Sequence, residues 1–425
     1  MALSTRAVQT YQDAPPTDQL IKILSNLYDA EANPDGYVSL AIAENSLMHH
    51  VLIDHMHRNM NIPPTALTYG DGYKRLKNAA ARFLTNYLKP VTPIDPSHVH
   101  ISNGLAPAIQ NMAWATADPG DALLLGRPYY VAFKADASRR TGVEVLPVAF
   151  GHMDPVSVEA VQKYEDEILR AKQRGQRIAG VILAHPHNPL GRCYPREALV
   201  AFMKLCQKYQ IHLVSDEIYA LSVFENRVDK DAAAVPFESV LSIDPEGIID
   251  RSLIHVLWGM SKDFGANGLR MGFTVTQHNP SMRAALMSIF EFSWTSSLSD
   301  HVTANALEDD EWARRYIQDN QTKLSEHQEK VLLWARENEI EYSPGSNAGF
   351  FVWVNLGAAY RKYHTGESED LDKTVIEALL DRRVLLADGI AFGAEKPGWF
   401  RIVFSQEAGY LAEGLRRIAM AVKGQ

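Results

Sequence analysis

Cysteine is nearly absent from this chain. Its 425 residues include two, Cys193 and Cys206, too few for a disulfide framework and wrongly spaced for a metal site. A reducing setting, the cytoplasm, is therefore expected, and no metal is. Positive charge is also short: 42 Lys and Arg face 51 Asp and Glu, a formal net charge of -9. A nucleic-acid partner normally requires a basic face. No apolar run approaches the ~20 residues that cross a bilayer, so neither nucleic acid nor membrane is an expected partner. The opening "MALSTRAVQTYQDAPPTDQL" has no apolar signal core, and its two aspartates and single arginine do not suit a transit peptide. Repeats and low-complexity tracts are missing as well. The rest, 46% hydrophobic and 22% charged, is ordinary globular composition in a chain too long for a single core. Two lobes are expected.

From about residue 60 to 300, short apolar runs alternate with helical patterns, the signature of stacked βαβ units. "RIAGVILAHPHNP", "YQIHLVSDEIYA" and "SLIHVLWGMSK" are apolar, strand-like runs, each ending in polar residues. "REALVAFMKLCQKY" between the first two has apolar residues at helical spacing, as a crossover helix does. Such runs deliver their polar residues at the carboxyl ends of strands, where parallel α/β sheets bind ligands. Beyond residue 300 the texture changes to a long charged helical stretch, broken once at most. Two strand-like runs, "AGFFVWVNL" and "GWFRIVFS", follow, and then the closing helix "GYLAEGLRRIAMAVK". The expected architecture is α/β, with a mostly parallel seven-stranded sheet between helices in a large domain (residues 61–304). Residues 1–60 and 305–425 are expected to form a smaller α+β domain.

Five separated positions could carry chemistry. "ISNGLAPAIQNMAWA" turns at Gly104 into a helix that starts near Ala106, and free amides there suit an anion. Taken alone, that turn is common. Tyr129 and Tyr130 in "GRPYYVAF" offer an aromatic face for a flat heterocycle, or two half-buried interface tyrosines. In "AHPHNPLGR", Asn188 is either a turn residue or an amide donor at a strand end. His185 and His187 lack a partner at metal-ligand spacing. In "SDEIY", Asp216 follows an apolar run, where burial without a partner is costly. A protonated ring nitrogen would be that partner, with Tyr219 a donor nearby and Glu217 an exposed strand-end acid. Finally, "WGMSKDFGANGLR" sets Ser261 and Lys262 at a strand end, with Arg270 eight residues on. The set comprises a phosphate cradle, a ring stacker, an oxygen donor, a ring-nitrogen partner and an imine-forming lysine. Pyridoxal 5'-phosphate needs all of these.

The motifs "LAIAENSL", "LTYGDGYKRLKNAAARFL", "ADPGDALLLGRPYYVAF", "HNPLGR", "HLVSDEIYA", "SKDFGANGLRMGF" and "PGWFRIVF" resemble, in that order, the fold-type I pyridoxal-phosphate enzymes of the class I/II aminotransferase superfamily. Within that superfamily the chain is most similar to 1-aminocyclopropane-1-carboxylate (ACC) synthases and the ACC-synthase-like proteins of fungi. The resemblance implies that Lys262 holds the cofactor as a Schiff base and, once freed, moves the Cα proton. It pairs Asp216 with the pyridine nitrogen and sets Asn188 and Tyr219 on the phenolate oxygen, with Tyr130 stacked on the ring. Gly104, Leu105, Ala106, Ser261 and Arg270 would take the phosphate. Tyr69 would reach the phosphate of a second subunit, which implies a homodimer with shared sites. Arg401 would clamp the substrate α-carboxylate, and Glu44 would face the side chain of a sulfonium substrate. For Glu44 the competing reading is a helix-cap acid. Two departures stand out: Gly259 replaces a phosphate-binding serine of the family, and "TYGDGYKRL" is one residue longer than usual.

The common machinery serves several outcomes. ACC-synthase-like elimination and ring closure on a sulfur-bearing amino acid such as S-adenosylmethionine is the first expectation. Transamination uses every cofactor residue equally well. A C–S lyase or cyclase of fungal secondary metabolism is a third reading. A regulator with a degenerate aminotransferase domain would carry a basic DNA-binding segment, and this acidic chain shows none.

Overall fold

The computed structural model describes residues 3–12, 18–69, 73–230, 234–364 and 370–425. Seven strands build the large sheet: β1 Val99–Ser102, β2 Ala122–Gly126, β3 Glu144–Val148, β4 Ile178–Ala184, β5 His212–Asp216, β6 Ile254–Gly259 and β7 Gly272–Val275. Their order is β1-β7-β6-β5-β4-β2-β3, and β7 alone runs against its neighbours. Every residue of β2 and β6 is buried. Helices cover both faces, so these strands read as continuous apolar runs instead of alternating ones. The crossover between β4 and β5 is the Arg196–Tyr209 helix, whose buried positions Leu199, Phe202, Met203 and Cys206 lie at helical spacing.

The C-terminal region carries a second, four-stranded antiparallel sheet, ordered Ala387–Asp388, Trp399–Val403, Phe351–Asn355, Glu341–Tyr342. The charged helical stretch before it is broken once. Helix Ser297–Glu308 gives way to Asp310–Glu337 at Asp309, whose carboxylate accepts the Trp312 amide at 3.1 Å. A side-chain cap of this kind satisfies an amide that has no helical partner and starts the new helix in a new direction.

The N-terminal segment closes the arrangement. Val38–Ser39 pairs in parallel with Val384–Leu385, Val403 donates its amide to the Leu40 carbonyl at 2.9 Å, and Ser46 donates to the Ser405 carbonyl at 3.0 Å. Residues 38–46 thus lie along the Trp399–Val403 strand and face the carboxyl ends of β4, β5 and β6.

Candidate active site

A cavity of about 390 Å³ lies where those elements meet. Its wall includes Leu105, Ala106, Tyr130, Asn188, Asp216 and Tyr219. It also includes Ser261, Lys262, Arg270 and Arg401, with Ala41–Ala43 across from them. Residues 296 positions apart in sequence, from Leu105 to Arg401, therefore share one pocket. The parallel sheet ends three neighbouring strands at the same edge.

Lys262 owes its position to the end of β6. The chain leaves Gly259 into a single helical turn, Met260–Asp263, and the Lys262 ammonium donates to the Ala43 carbonyl at 2.5 Å. Asp263 anchors the turn: buried, it accepts from Trp258 Nε1 (2.9 Å), the Ser222 hydroxyl (2.7 Å) and the Leu221 amide (3.1 Å). Burial, reinforced by the Arg401 cation, lowers Lys262 to about 8, while the charges of Glu44 and Asp216 act in the other direction. A lysine so placed gives up its proton far more readily near physiological pH than an ordinary lysine, and the neutral amine is the nucleophile and the base.

The Asp216 carboxylate, at the end of β5, accepts one hydrogen bond from the described residues, from the Ile218 amide at 3.1 Å. Burial raises its carboxyl to about 7, partly offset by that amide and by Lys262. A carboxylate held this way calls for a cation. Arg401 presents the opposite case. It is 3% exposed on the Trp399–Val403 strand, where a surface charge would have been the plain reading. It donates to Asn188 Oδ1 (2.9 Å) and to the Ala41 carbonyl (2.7 Å), and its guanidinium lies over the rings of Phe392 and Phe351, 4.7 and 5.2 Å from their centroids. Its Nε has no partner, and no carboxylate among the described residues pairs with it. Since guanidinium can only donate, Asn188 must present its oxygen to Arg401, which turns the amide NH2 away from it.

The two tyrosines separate. Tyr130 reaches the cavity and meets Phe133 edge-on at 5.5 Å. Tyr129 is buried instead, its amide bonded to the Phe392 carbonyl. Both histidines of "AHPHNPLGR" are buried and bonded to the main chain, His185 to the Glu238 carbonyl and His187 to the Leu190 amide. Desolvation holds them neutral, lowering His185 to about 4 and His187 to about 3.

Gly104 has φ +110, and a Cβ there would overlap the Arg270 guanidinium. The turn that opens the Leu105–Thr116 helix thus sits directly against that cation, and the helix's first amides and a guanidinium converge on one spot. Gly259 is explained by the same packing. A Cβ at 259 would lie 2.5 Å from the Met271 carbonyl oxygen and 2.9 Å from Leu105 Cδ1, and one at its strand partner Gly272 would lie 2.5 Å from Gly104. A serine at 259 cannot be accommodated here without parting β6 from β7.

Several placements differ from the sequence reading. Glu217 is not an exposed strand-end acid. It is fully buried, accepts the Ser215 hydroxyl (3.1 Å) and the Val240 amide (3.0 Å), and leaves Oε2 without a partner among the described residues. Burial raises it to about 7, so it ionises far less readily than an exposed glutamate. Glu44 is exposed and outside the cavity wall, although its charge reaches Lys262. Tyr69 is 86% exposed and meets the Trp294 ring at 5.9 Å, and the lengthened loop at 70–72 lies outside the described residues. One charged wall residue among the described ones went unnoticed in the sequence: Asp136, on the Ala132–Ser138 helix.

The site fits pyridoxal phosphate on its own terms. It offers a buried carboxylate needing a cation, an amine of lowered basicity, a helix start packed against an arginine, and a second, buried arginine lacking an anion. The fold and this donor set define a pyridoxal-phosphate enzyme of the aminotransferase type. The chain belongs to the aminotransferase class I and II family, which it matches over residues 35–418. It is 31% identical over 417 residues to the mouse ACC synthase-like protein 1, covering 94% of this chain and 78% of that one. Rice ACC synthase 1 is 30% identical over 395 residues, 89% of this chain and 79% of that one. A mouse relative described as a probable inactive ACC synthase-like protein 2 is 31% identical over 389 residues, and the chain spans 64% of its length. Among solved structures, Thermus thermophilus aspartate aminotransferase with maleate superposes with a TM-score of 0.76 at 20% identity, over 99% of this chain and 100% of that one. That likeness establishes the fold.

Proposed function

We propose that the protein is an active pyridoxal-phosphate enzyme that works at the Cα of a small amino acid, with ACC-synthase-like elimination and cyclisation on a sulfur-bearing substrate such as S-adenosylmethionine as its reaction. The observation that carries the amino-acid reading is Arg401. A buried guanidinium without a carboxylate partner, in one cavity with a lysine lowered to about 8, suits an α-carboxylate held beside a reactive amine. When bound, pyridoxal phosphate supplies an electron sink for the charge that develops at Cα. In this reading Arg401 binds and orients the substrate, and the neutral Lys262 amine takes the Cα proton. Asp216 faces the ring nitrogen, Asn188 and Tyr219 face the phenolate oxygen, and Tyr130 covers one ring face. The amides at Gly104–Ala106, the Ser261 hydroxyl and Arg270 hold the phosphate.

The names of the relatives support the lyase reading, and the charge of Glu44 within reach of Lys262 is compatible with a cationic sulfonium. Transamination is the second reading. It is favoured by the exposure of Glu44 and by a similar Arabidopsis thaliana chain, 28% identical over 437 residues, described as a probable aminotransferase. We also place the working form as a cytoplasmic homodimer. Leu67 and Tyr69 are each 86% exposed, Tyr69 meets the Trp294 ring and the Ser297 hydroxyl bonds to the Thr68 carbonyl, while Phe292, two residues before Trp294, is 75% exposed. Large aromatic and aliphatic side chains gathered in this way suit a second copy.

Visible absorbance on adding pyridoxal phosphate, lost in Lys262→Ala, tests the cofactor role. Methylthioadenosine released from S-adenosylmethionine tests the reaction. Keto acid formed from an amino-acid and keto-acid pair, with no methylthioadenosine, would replace the first reading with the second.

A further inference from the structure

Among the described residues, Asp136 is the one acid of the cavity wall besides Asp216. It lies on the short Ala132–Ser138 helix, two steps of three residues beyond Tyr130, with Phe133 between them. All three line the cavity, so one face of this segment carries the ring-stacking tyrosine, an apolar spacer and a carboxylate. Asp136 has no hydrogen bond or ion pair with a described residue, although burial raises its carboxyl to about 6 and only the Arg139 charge opposes that.

The charges of the cavity otherwise match the groups they are read as holding. Arg270 would face the phosphate, Arg401 the substrate carboxylate, and Lys262 the cofactor aldehyde, with Asp216 on the ring nitrogen. Asp136 is the charge left over. Its field acts on the Tyr130 hydroxyl, where it is the largest charge effect, and on Asp216, whose proton affinity it raises. Both mark the ring end of the site.

Resting on the cofactor assignment above, we propose that Asp136 is a positioning residue for the ring of bound pyridoxal phosphate, a second carboxylate that together with Asp216 keeps the ring nitrogen protonated. Two anions at that end hold the ring cationic more firmly than one. That matters in a cavity whose other charged side chains, three cations, all disfavour a positive ring.

The test compares two ligands. Equilibrium binding to the apoprotein is measured for pyridoxal phosphate and for an analogue with C–H in place of the ring nitrogen, using wild type, Asp136→Asn and Asp136→Glu. For a charge acting across part of a protein cavity, Asp136→Asn is expected to weaken pyridoxal phosphate by about five- to tenfold and the analogue by less than about twofold. Asp136→Glu is expected to recover most of the loss. Equal weakening of both ligands, or failure of Asp136→Asn to bind either, would assign Asp136 a structural role and overturn the proposal, as would unchanged affinity for both. If wild type binds the analogue and pyridoxal phosphate equally badly, the cofactor assignment falls along with it.

Discussion

Replacing Asp216 with asparagine should make the apoprotein more stable, and by an amount that grows with pH. The carboxyl titrates near 7 in the folded chain against an ordinary 3.8, so the native state holds a proton that the unfolded state has lost across that window. The sign follows from linkage: where the folded state binds more protons, stability falls as pH rises. At about 1.4 kcal/mol per pKa unit, the penalty is on the order of 4 kcal/mol above pH 7 and about 1.5 kcal/mol at pH 5. Asparagine keeps an acceptor for the Ile218 amide, now at 3.1 Å, but buries an NH2 group at a cost of about 1–2 kcal/mol. Asp216→Asn should therefore gain about 2 kcal/mol at pH 8 and nothing at pH 5. Asp263, also raised to about 7 by burial, is common to both proteins and cancels in the difference, whereas Glu217, raised by burial and in part by the Asp216 charge, loses that repulsion in the variant and shifts the difference in the same direction. Urea unfolding of both apoproteins at pH 5, 6, 7 and 8 measures it. A difference that stays flat over that range would refute the claim that Asp216 is buried without a cation in the apoprotein.

Gly259→Ser should not restore a phosphate contact. With its Cβ 2.5 Å from the Met271 carbonyl oxygen, it should cost about 2–3 kcal/mol of stability, seen as a lower thermal midpoint, and a gain in pyridoxal-phosphate affinity would contradict the packing argument. Arg401→Lys removes the fork that reaches both Asn188 and Ala41. Amino-acid binding to the holoprotein, followed by its spectral change, should weaken by about 10- to 100-fold with cofactor affinity unchanged.

The strand-end residues were legible because a parallel sheet makes position along a strand predictable. An apolar run followed by a polar cluster, three times over, puts Asn188, Asp216 and Lys262 on one edge whatever the loops do. Arg401 was legible only through resemblance: nothing in "WFRIVF" says that Phe351 and Phe392 will close over its guanidinium. Glu217 was misread because its burial depends on Ser239 and Val240, more than twenty residues away, folding back over it. Asp136 was missed because a helix of seven residues carries too little periodicity to mark its inner face. Gly259 looked like a deficit in the sequence. In the structure it is half of a glycine pair with Gly272 that lets β6, β7 and the start of the Leu105–Thr116 helix meet.

These buried charges also bear on why the fold tolerates them. Apart from ligands, the cavity holds Arg401 without an anion, Asp216 without a firm cation and Lys262 stripped of much of its hydration, each an unfavourable burial. A ligand that supplies a ring cation, an aldehyde and a phosphate relieves two of these costs at once, and an amino acid relieves the third. Free energy withheld from the empty fold reappears as binding free energy, because any ligand that prefers the native state stabilises it in proportion to its affinity. Substitutions that make the empty cavity comfortable, Asp216→Asn first among them, should therefore lose in cofactor affinity what they gain in apoprotein stability.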